Sequence, residues 1–202
     1  PGSYSEKGKA GSTKKNKKLY GALFSMIQEN SSIRSFCGEE DKIMAALILT
    51  VLTLTSTSFS HNDTIPSRYT CDGKNISPAL NWTGIPEGTQ SLVFIVDDPD
   101  APKMTWVHWV LYNIPPSATG LAEGISEKNL PPGTLQGIND WKRTSYGGPC
   151  PPIGNHHYYH KLYALDTVLP DLQHPTKAAL EHAMQGHIIA QSELIGRYQR
   201  HF

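Results

Sequence analysis

Net charge is what this sequence most plainly lacks. Eighteen Lys and Arg balance eighteen Asp and Glu over 202 residues, so no basic field covers the chain and a nucleic-acid partner is not expected. Cysteine is scarce as well: Cys37, Cys71 and Cys150 are too few for a disulfide scaffold and odd in number. They leave the redox compartment open, with a cytoplasmic location expected ahead of export. No apolar run reaches the roughly 20 residues that cross a bilayer, so a transmembrane protein is not expected. What is there is an ordinary globular composition, 38% hydrophobic and 18% charged, long enough for one sizeable core.

The first 46 residues differ from the rest, which divides the chain into an extension, 1–46, and a domain, 47–202. Pro1-Gly2-Ser3 has the look of a remnant of tag cleavage, and Gly8 to Lys18 is rich in Lys, Gly and Ser, a flexible composition. Beyond it, Leu19, Tyr20, Leu23, Phe24 and Ile27 fall at the spacing of one apolar stripe on a short helix. A basic membrane-surface anchor is one reading of that helix after Lys14, Lys15, Lys17 and Lys18. A docked helix or a non-native extension is the favoured one, because the stripe covers only about two turns. The run from Met44 resembles the apolar core of a signal peptide, but Leu52 to Phe59 continues it with alternating Thr and Ser, as a strand does.

From Leu47 onward the pattern is mostly β. Leu92 to Val96 is an uninterrupted apolar run, expected of a strand covered on both faces, and it ends in Asp97-Asp98-Pro99-Asp100-Ala101-Pro102. Such a strand delivers its terminal carboxylates to the rim of a rigid core, with Pro99 and Pro102 stiffening the exit loop; a plain turn is the alternative. Pro78 to Trp82 can carry a short strand, and a β-branched run covers Thr50 to Phe59. Trp106 to Asn113 reads as another strand, and the Gly/Pro-rich connection from Pro115 to Pro152 is long enough to suggest a pocket wall. In the segment from Asn155 to Leu165, a two-residue period puts His156, Tyr158 and His160 on one face and His157, Tyr159 and Lys161 on the other. Between Pro175 and Tyr198, the spacing of Leu180, Ala183, Met184, His187, Ile188, Leu194 and Ile195 predicts a covering helix, with His187 a core or boundary histidine.

Several of these segments carry a family resemblance. Asp98-Pro99-Asp100-Ala101-Pro102, Trp106-x-His108-Trp109, and Gly148-Pro149-Cys150-Pro151-Pro152 followed by Gly154-x-His156-x-Tyr158 resemble, in order and spacing, the signature segments of the phosphatidylethanolamine-binding protein family, also called Raf kinase inhibitor proteins. Tyr69 to Pro78 and Ala183 to Ala190 resemble its prokaryotic branch, so the likeness covers roughly Leu52 to Arg200. The resemblance implies a large central β-sheet packed against a smaller one, helices at the edge, and a small anion pocket at one end. By the same resemblance Asp98, His108 and His156 match the pocket's carboxylate and histidines, and Trp106, Gly148, Pro151, Pro152 and Tyr158 match its walls. His157 stands where the family usually has Arg, which removes a permanent charge and a planar fork of donors.

That resemblance implies a non-catalytic binding protein for a phosphate-containing small molecule or phospholipid headgroup, with no cofactor, a protein kinase as a further partner, and room for a homodimer. Two protonated imidazoles facing one cavity can donate to phosphate, so affinity is expected to weaken as pH rises. Asp98, His108 and His156 also have the makings of a metal site or an acid–base set, and a protease-inhibiting or protein-interaction module is a third class. If the resemblance holds, the loops carrying Cys71 and Cys150 both approach the pocket end, where a disulfide that leaves Cys37 unpaired is one outcome; buried reduced thiols are the favoured one, since pairing needs Cα atoms within roughly 7 Å and the sequence gives no such distance.

Overall fold

The architecture grows from β4 (Ser91–Asp98), an eight-residue strand buried along its whole length. With no charged residue before Asp97 it can be placed only where both faces are covered, and two-residue alternation sends its side chains to two different cores. Leu92, Phe94 and Val96 enter one apolar cluster, while Val93 and Ile95 enter the other. The computed structural model describes residues 51–200; the expectations for the extension 1–46 and the signal-like run from Met44 lie outside the described residues, apart from the end of that run.

Around β4 a six-stranded sheet forms from β2 (Asp63–Thr64), β9 (Ile188–Gln199), β8 (Asn155–Leu165), β4, β5 (Trp106–Ile114) and β7 (Leu135–Gln136), in that order. Its pairings are antiparallel except for β2 against β9. A second sheet of three strands, β1 (Thr53–Thr55), β3 (Leu80–Thr83) and β6 (Gly120–Leu121), contributes Leu54, Leu80, Trp82 and Leu121 to the first cluster. The opposite face of the large sheet is covered by α1 (Lys177–Ala183), whose Leu180 packs with Val93, Ile95 and Val110. The fold is therefore mostly β, a large sheet against a smaller one with a covering helix.

Three local expectations need correction. The helix between Pro175 and Tyr198 stops after seven residues: Thr176 caps its start by accepting from the Ala179 N–H, and Gly186, at φ +80°, ends the turn that follows. Ile188 to Gln199 is instead a strand paired with β8 over eleven positions. The helical stripe was genuine only for Leu180 to Met184; beyond it Leu194, Gly196 and Tyr198 alternate inward, a short period-two signal overruled by the apolar residues upstream. His187 is accordingly the boundary histidine of the two placements expected, half-buried and paired with Asp166, and not a core one. The β-branched run to Phe59 yields a strand only at Thr53–Thr55, and the Pro115–Pro152 connection contains β6, β7 and a 3-10 turn at Glu127–Asn129.

Candidate functional site

Alternation along β4 places Asp97 over α1 and Asp98 on the opposite face, shared with His156 and Tyr158 of β8. His108 reaches that face through an irregularity. Val96 pairs with Trp109 and Asp97 with Val107, so β5 holds one extra residue, His108, opposite a single step of β4. This bulge lets His108 and Trp109 both point away from the face of Val107 and Val110, which strict alternation forbids.

The result is a cavity of about 420 Å³ bounded by Asp98, Trp106, His108, Pro151, Pro152 and His156, together with Ala101, Pro102, Lys103, Trp141 and Cys150. A hollow of similar size on the surface of β8 and β9 is lined by Lys161, Tyr163, Gln191, Ser192 and Glu193, none of them buried. Tyr158 lies behind the first cavity, fully buried, its ring perpendicular to His108 at 5.2 Å and stacked on His156 at 6.5 Å. Gly148 does not line it. Its backbone approaches Tyr69 and Asn75 so closely that a Cβ would sit 2.3 Å from the Tyr69 carbonyl, and its N–H donates to Asn75 Oδ1 at 2.7 Å.

Hydrogen bonds set the ring orientations. The Asp98 carboxylate accepts from His156 Nδ1 at 2.7 Å through one oxygen and from the Asp100 N–H at 2.9 Å through the other. His156 Nε2 lies 3.1 Å from the Ile153 carbonyl, so both of its nitrogens face acceptors. His108 Nδ1 lies 2.7 Å from the Gly147 carbonyl, which can only accept, so Nδ1 carries the proton and Nε2 is the nitrogen without a protein partner among the described residues. Burial pushes the His108 pKa below its ordinary value, although the Gly147 carbonyl and the Asp98, Asp97 and Asp140 charges pull the other way. At neutral pH His108 Nε2 is therefore an acceptor, where two histidine donors were expected.

Burial, reinforced by the Asp98 charge, holds the Tyr158 pKa far above the usual phenol value, so its hydroxyl keeps its proton. That hydroxyl lies beside Asp98 and Cys150 without closing a hydrogen bond to either, and the Trp106 indole N–H is likewise buried without a partner. His157 holds the loop beyond β4: its N–H and Nδ1 both reach Asp100 Oδ2, at 2.8 and 2.7 Å. Burial works against ionisation of Asp100, but the His157 contacts hold its carboxyl below the usual range.

The far wall is fastened rather than packed. A Cys71–Cys150 disulfide, Cα atoms 5.4 Å apart, joins it to the 69–75 loop, and the Cys71 N–H donates to the Pro149 carbonyl at 3.0 Å. Two cavity residues escaped the sequence reading. Lys103, the single ammonium in the lining, follows directly on the Asp-Pro-Asp-Ala-Pro segment. Trp141 sits edge-on to His108 at 5.0 Å and to Trp106 at 5.4 Å; the signal for it was the single Trp in the long connection already read as a wall. Asp98, His108 and His156 do not form a three-ligand metal cluster, and none is found among the described residues.

Comparison with known proteins gives this geometry its relatives. The sequence profile described as phosphatidylethanolamine-binding protein matches residues 55–199. A UPF0098 protein of Methanothermobacter thermautotrophicus is 49% identical over 150 residues, 74% of this chain and 99% of that protein. The crystal structure of a phosphatidylethanolamine-binding protein homolog from Chlamydia trachomatis superposes with a TM-score of 0.70 at 42% identity, covering 75% of this chain and 99% of that one. E. coli YbcL, described as a new member of the mammalian family, also reaches 0.70 at 33% identity, over 74% and 99% of the two chains. The chain belongs to the phosphatidylethanolamine-binding protein family, in the company of bacterial and archaeal relatives.

Proposed function

We propose that the protein is a non-catalytic binding protein whose cavity takes phosphate-type oxyanions, as a soluble ester or as the headgroup of a phospholipid. The observation that carries this reading is the convergence of two buried histidines, 2% and 5% exposed, on one small cavity. Support comes from the buried indole N–H of Trp106, a residue of the lining, since a buried donor without a partner costs free energy that an oxyanion would recover. Lys103 adds positive charge in the lining, and the apolar surfaces of Trp106, Trp141, Pro151 and Pro152 suit the organic part of an ester. A metal-dependent or acid–base reading draws less support, because His156 has both nitrogens engaged and Asp98 both oxygens.

Calorimetric titration of inorganic phosphate and phosphoethanolamine into the full chain tests the proposal. Saturable one-to-one binding is expected, weakened at least about tenfold by His108→Ala, in line with the loss of one hydrogen bond to a charged group. Absence of binding for both ligands would overturn it.

A further inference from the structure

Resting on that reading of the cavity, we infer that thiol–disulfide exchange at Cys71–Cys150 controls its affinity: the bridged form holds one wall ready for the anion, and a dithiol reductant that opens the bridge releases that wall. The wall from Cys150 to Gly154 is tied down at few points. Its one hydrogen bond among the described residues joins the Ile153 carbonyl to His156 Nε2 at 3.1 Å, and the Tyr158 hydroxyl beside Cys150 closes no second. Pro151 and Pro152 have no N–H to donate, and Pro152, Ile153 and Gly154 are exposed, so packing holds little of the span. Beyond its two ends, Asn155 opens β8 and the Pro149 carbonyl accepts from the Cys71 N–H at 3.0 Å. The disulfide is the remaining tie, and Cys150 itself lines the cavity.

The bridge is also placed for exchange. Cys150 is exposed and Cys71 half-buried, so a thiolate reaches the bridge from solvent. A thiolate of the reductant attacks Cys150 Sγ, and the electron pair of the broken S–S bond leaves on Cys71 Sγ, which takes a proton from water. The reductant's second thiol, deprotonated, then attacks the mixed disulfide and expels Cys150 Sγ, which is protonated in turn. The bridge thereby gains two electrons and two protons, and the dithiol loses the same number in closing to its own disulfide. What remains is local freedom: the Tyr146 hydroxyl to Tyr69 and Gly148 N–H to Asn75 hydrogen bonds still join the 69–75 loop to residues 146–148, while Cys150 to Gly154 swings loose. An anion must then order the wall as it binds, and ordering even one backbone residue is worth about tenfold in affinity. Linkage makes the effect reciprocal, so a bound anion makes the bridge harder to reduce by the same factor.

Calorimetric titration of phosphoethanolamine into the full chain, oxidised and after dithiothreitol, reads the coupling. Binding at least about tenfold weaker is expected after reduction, with the circular dichroism spectrum unchanged and the affinity restored on reoxidation. Cys71→Ala, combined with Cys37→Ser so that Cys150 gains no new partner, should bind as the reduced chain does, with or without dithiothreitol. Cys71 lies outside the lining, so a lost contact to the anion does not imitate the effect. In mixtures of dithiothreitol and its oxidised form, saturating phosphoethanolamine should lower the midpoint potential of the bridge by about 30 mV for each tenfold of coupling. Oxidised and reduced chains binding within about twofold of each other, the Cys71→Ala variant binding as tightly as the oxidised chain, or a bridge that dithiothreitol leaves closed in the folded chain would overturn the inference and leave the anion site standing. Absence of binding by the oxidised chain would overturn the anion site itself, and the inference with it.

Discussion

His160 shows how one residue can set the acid limit of this protein. It is 1% exposed, packed against Phe59 and Phe94, and burial pushes its pKa down to about 4. Above about pH 6.5 the ring is neutral in both the folded and the unfolded chain, and its contribution to stability is complete. As pH falls from there toward 4, the unfolded chain binds a proton that the folded chain refuses, so stability drops; His108, also shifted downward, acts in the same direction. Denaturant titrations at pH 7 and pH 4.5 should show a loss of about 2–3 kcal/mol from His160, at 1.36 kcal/mol per unit. His160→Gln should flatten the dependence by about that amount. The Asp98–His156 pair behaves differently. Asp98→Ala strands a buried imidazole, and unfolding should become easier by about 3–5 kcal/mol, with phosphate binding lost in the same calorimetric assay.

At the scale of the elements, the two cores depend on contacts that strand and helix patterns do not reveal. α1 is tied to the sheet by Lys177, 2.7 Å from Asp97, while Lys161 of β8 holds the same fully buried carboxylate at 2.9 Å. Burial works against the Lys177 ammonium, yet Asp97 raises its pKa above the ordinary lysine value. Lys177→Met should therefore cost less than Asp97→Ala in equilibrium unfolding, because Lys161 still neutralises Asp97 in the first variant, whereas the second leaves two half-buried lysines facing one another; about 3 kcal/mol is expected for Asp97→Ala. On the other side of the large sheet, Gly196 leaves room for Ile65 and Phe59 to pack against β9. A Cβ there would meet Ile65 Cγ1 at 2.4 Å and Phe59 Cε2 at 2.8 Å. Gly196→Ala should destabilise by about 1–3 kcal/mol, measured by the same unfolding experiment.

For the whole molecule the Cys71–Cys150 link matters most, since it joins positions 79 apart in sequence and closes the cavity wall. Restricting so long a loop in the unfolded chain is worth about 2–4 kcal/mol. Dithiothreitol should lower the unfolding free energy by that amount without abolishing the fold, because the Cys71 N–H to Pro149, Gly148 N–H to Asn75 and Tyr146 hydroxyl to Tyr69 hydrogen bonds remain. Hydrogen exchange of residues 150–156 should accelerate on reduction; unchanged protection there would show that the hydrogen bonds alone hold the wall.

Some of this was determined by the sequence alone. The apolar run Leu92 to Val96 required a strand covered on both faces, and the alternation of His156, Tyr158 and His160 required a common buried face, because period-two geometry leaves no other arrangement. The spaced motifs that contain Asp98, His108 and His156 pointed to the family and to three of the cavity's polar groups. Tertiary structure decided the rest. Pairing with eleven residues of β8 drew Ile188 to Gln199 into a strand, because backbone groups beside a sheet edge gain partners there whatever the local apolar spacing favours. The bulge at His108 is a property of two strands in register, and neither strand encodes it separately. Which nitrogen of His108 holds its proton follows from the Gly147 carbonyl, 39 residues away, and no inspection of His108 and its neighbours in sequence contains that distance.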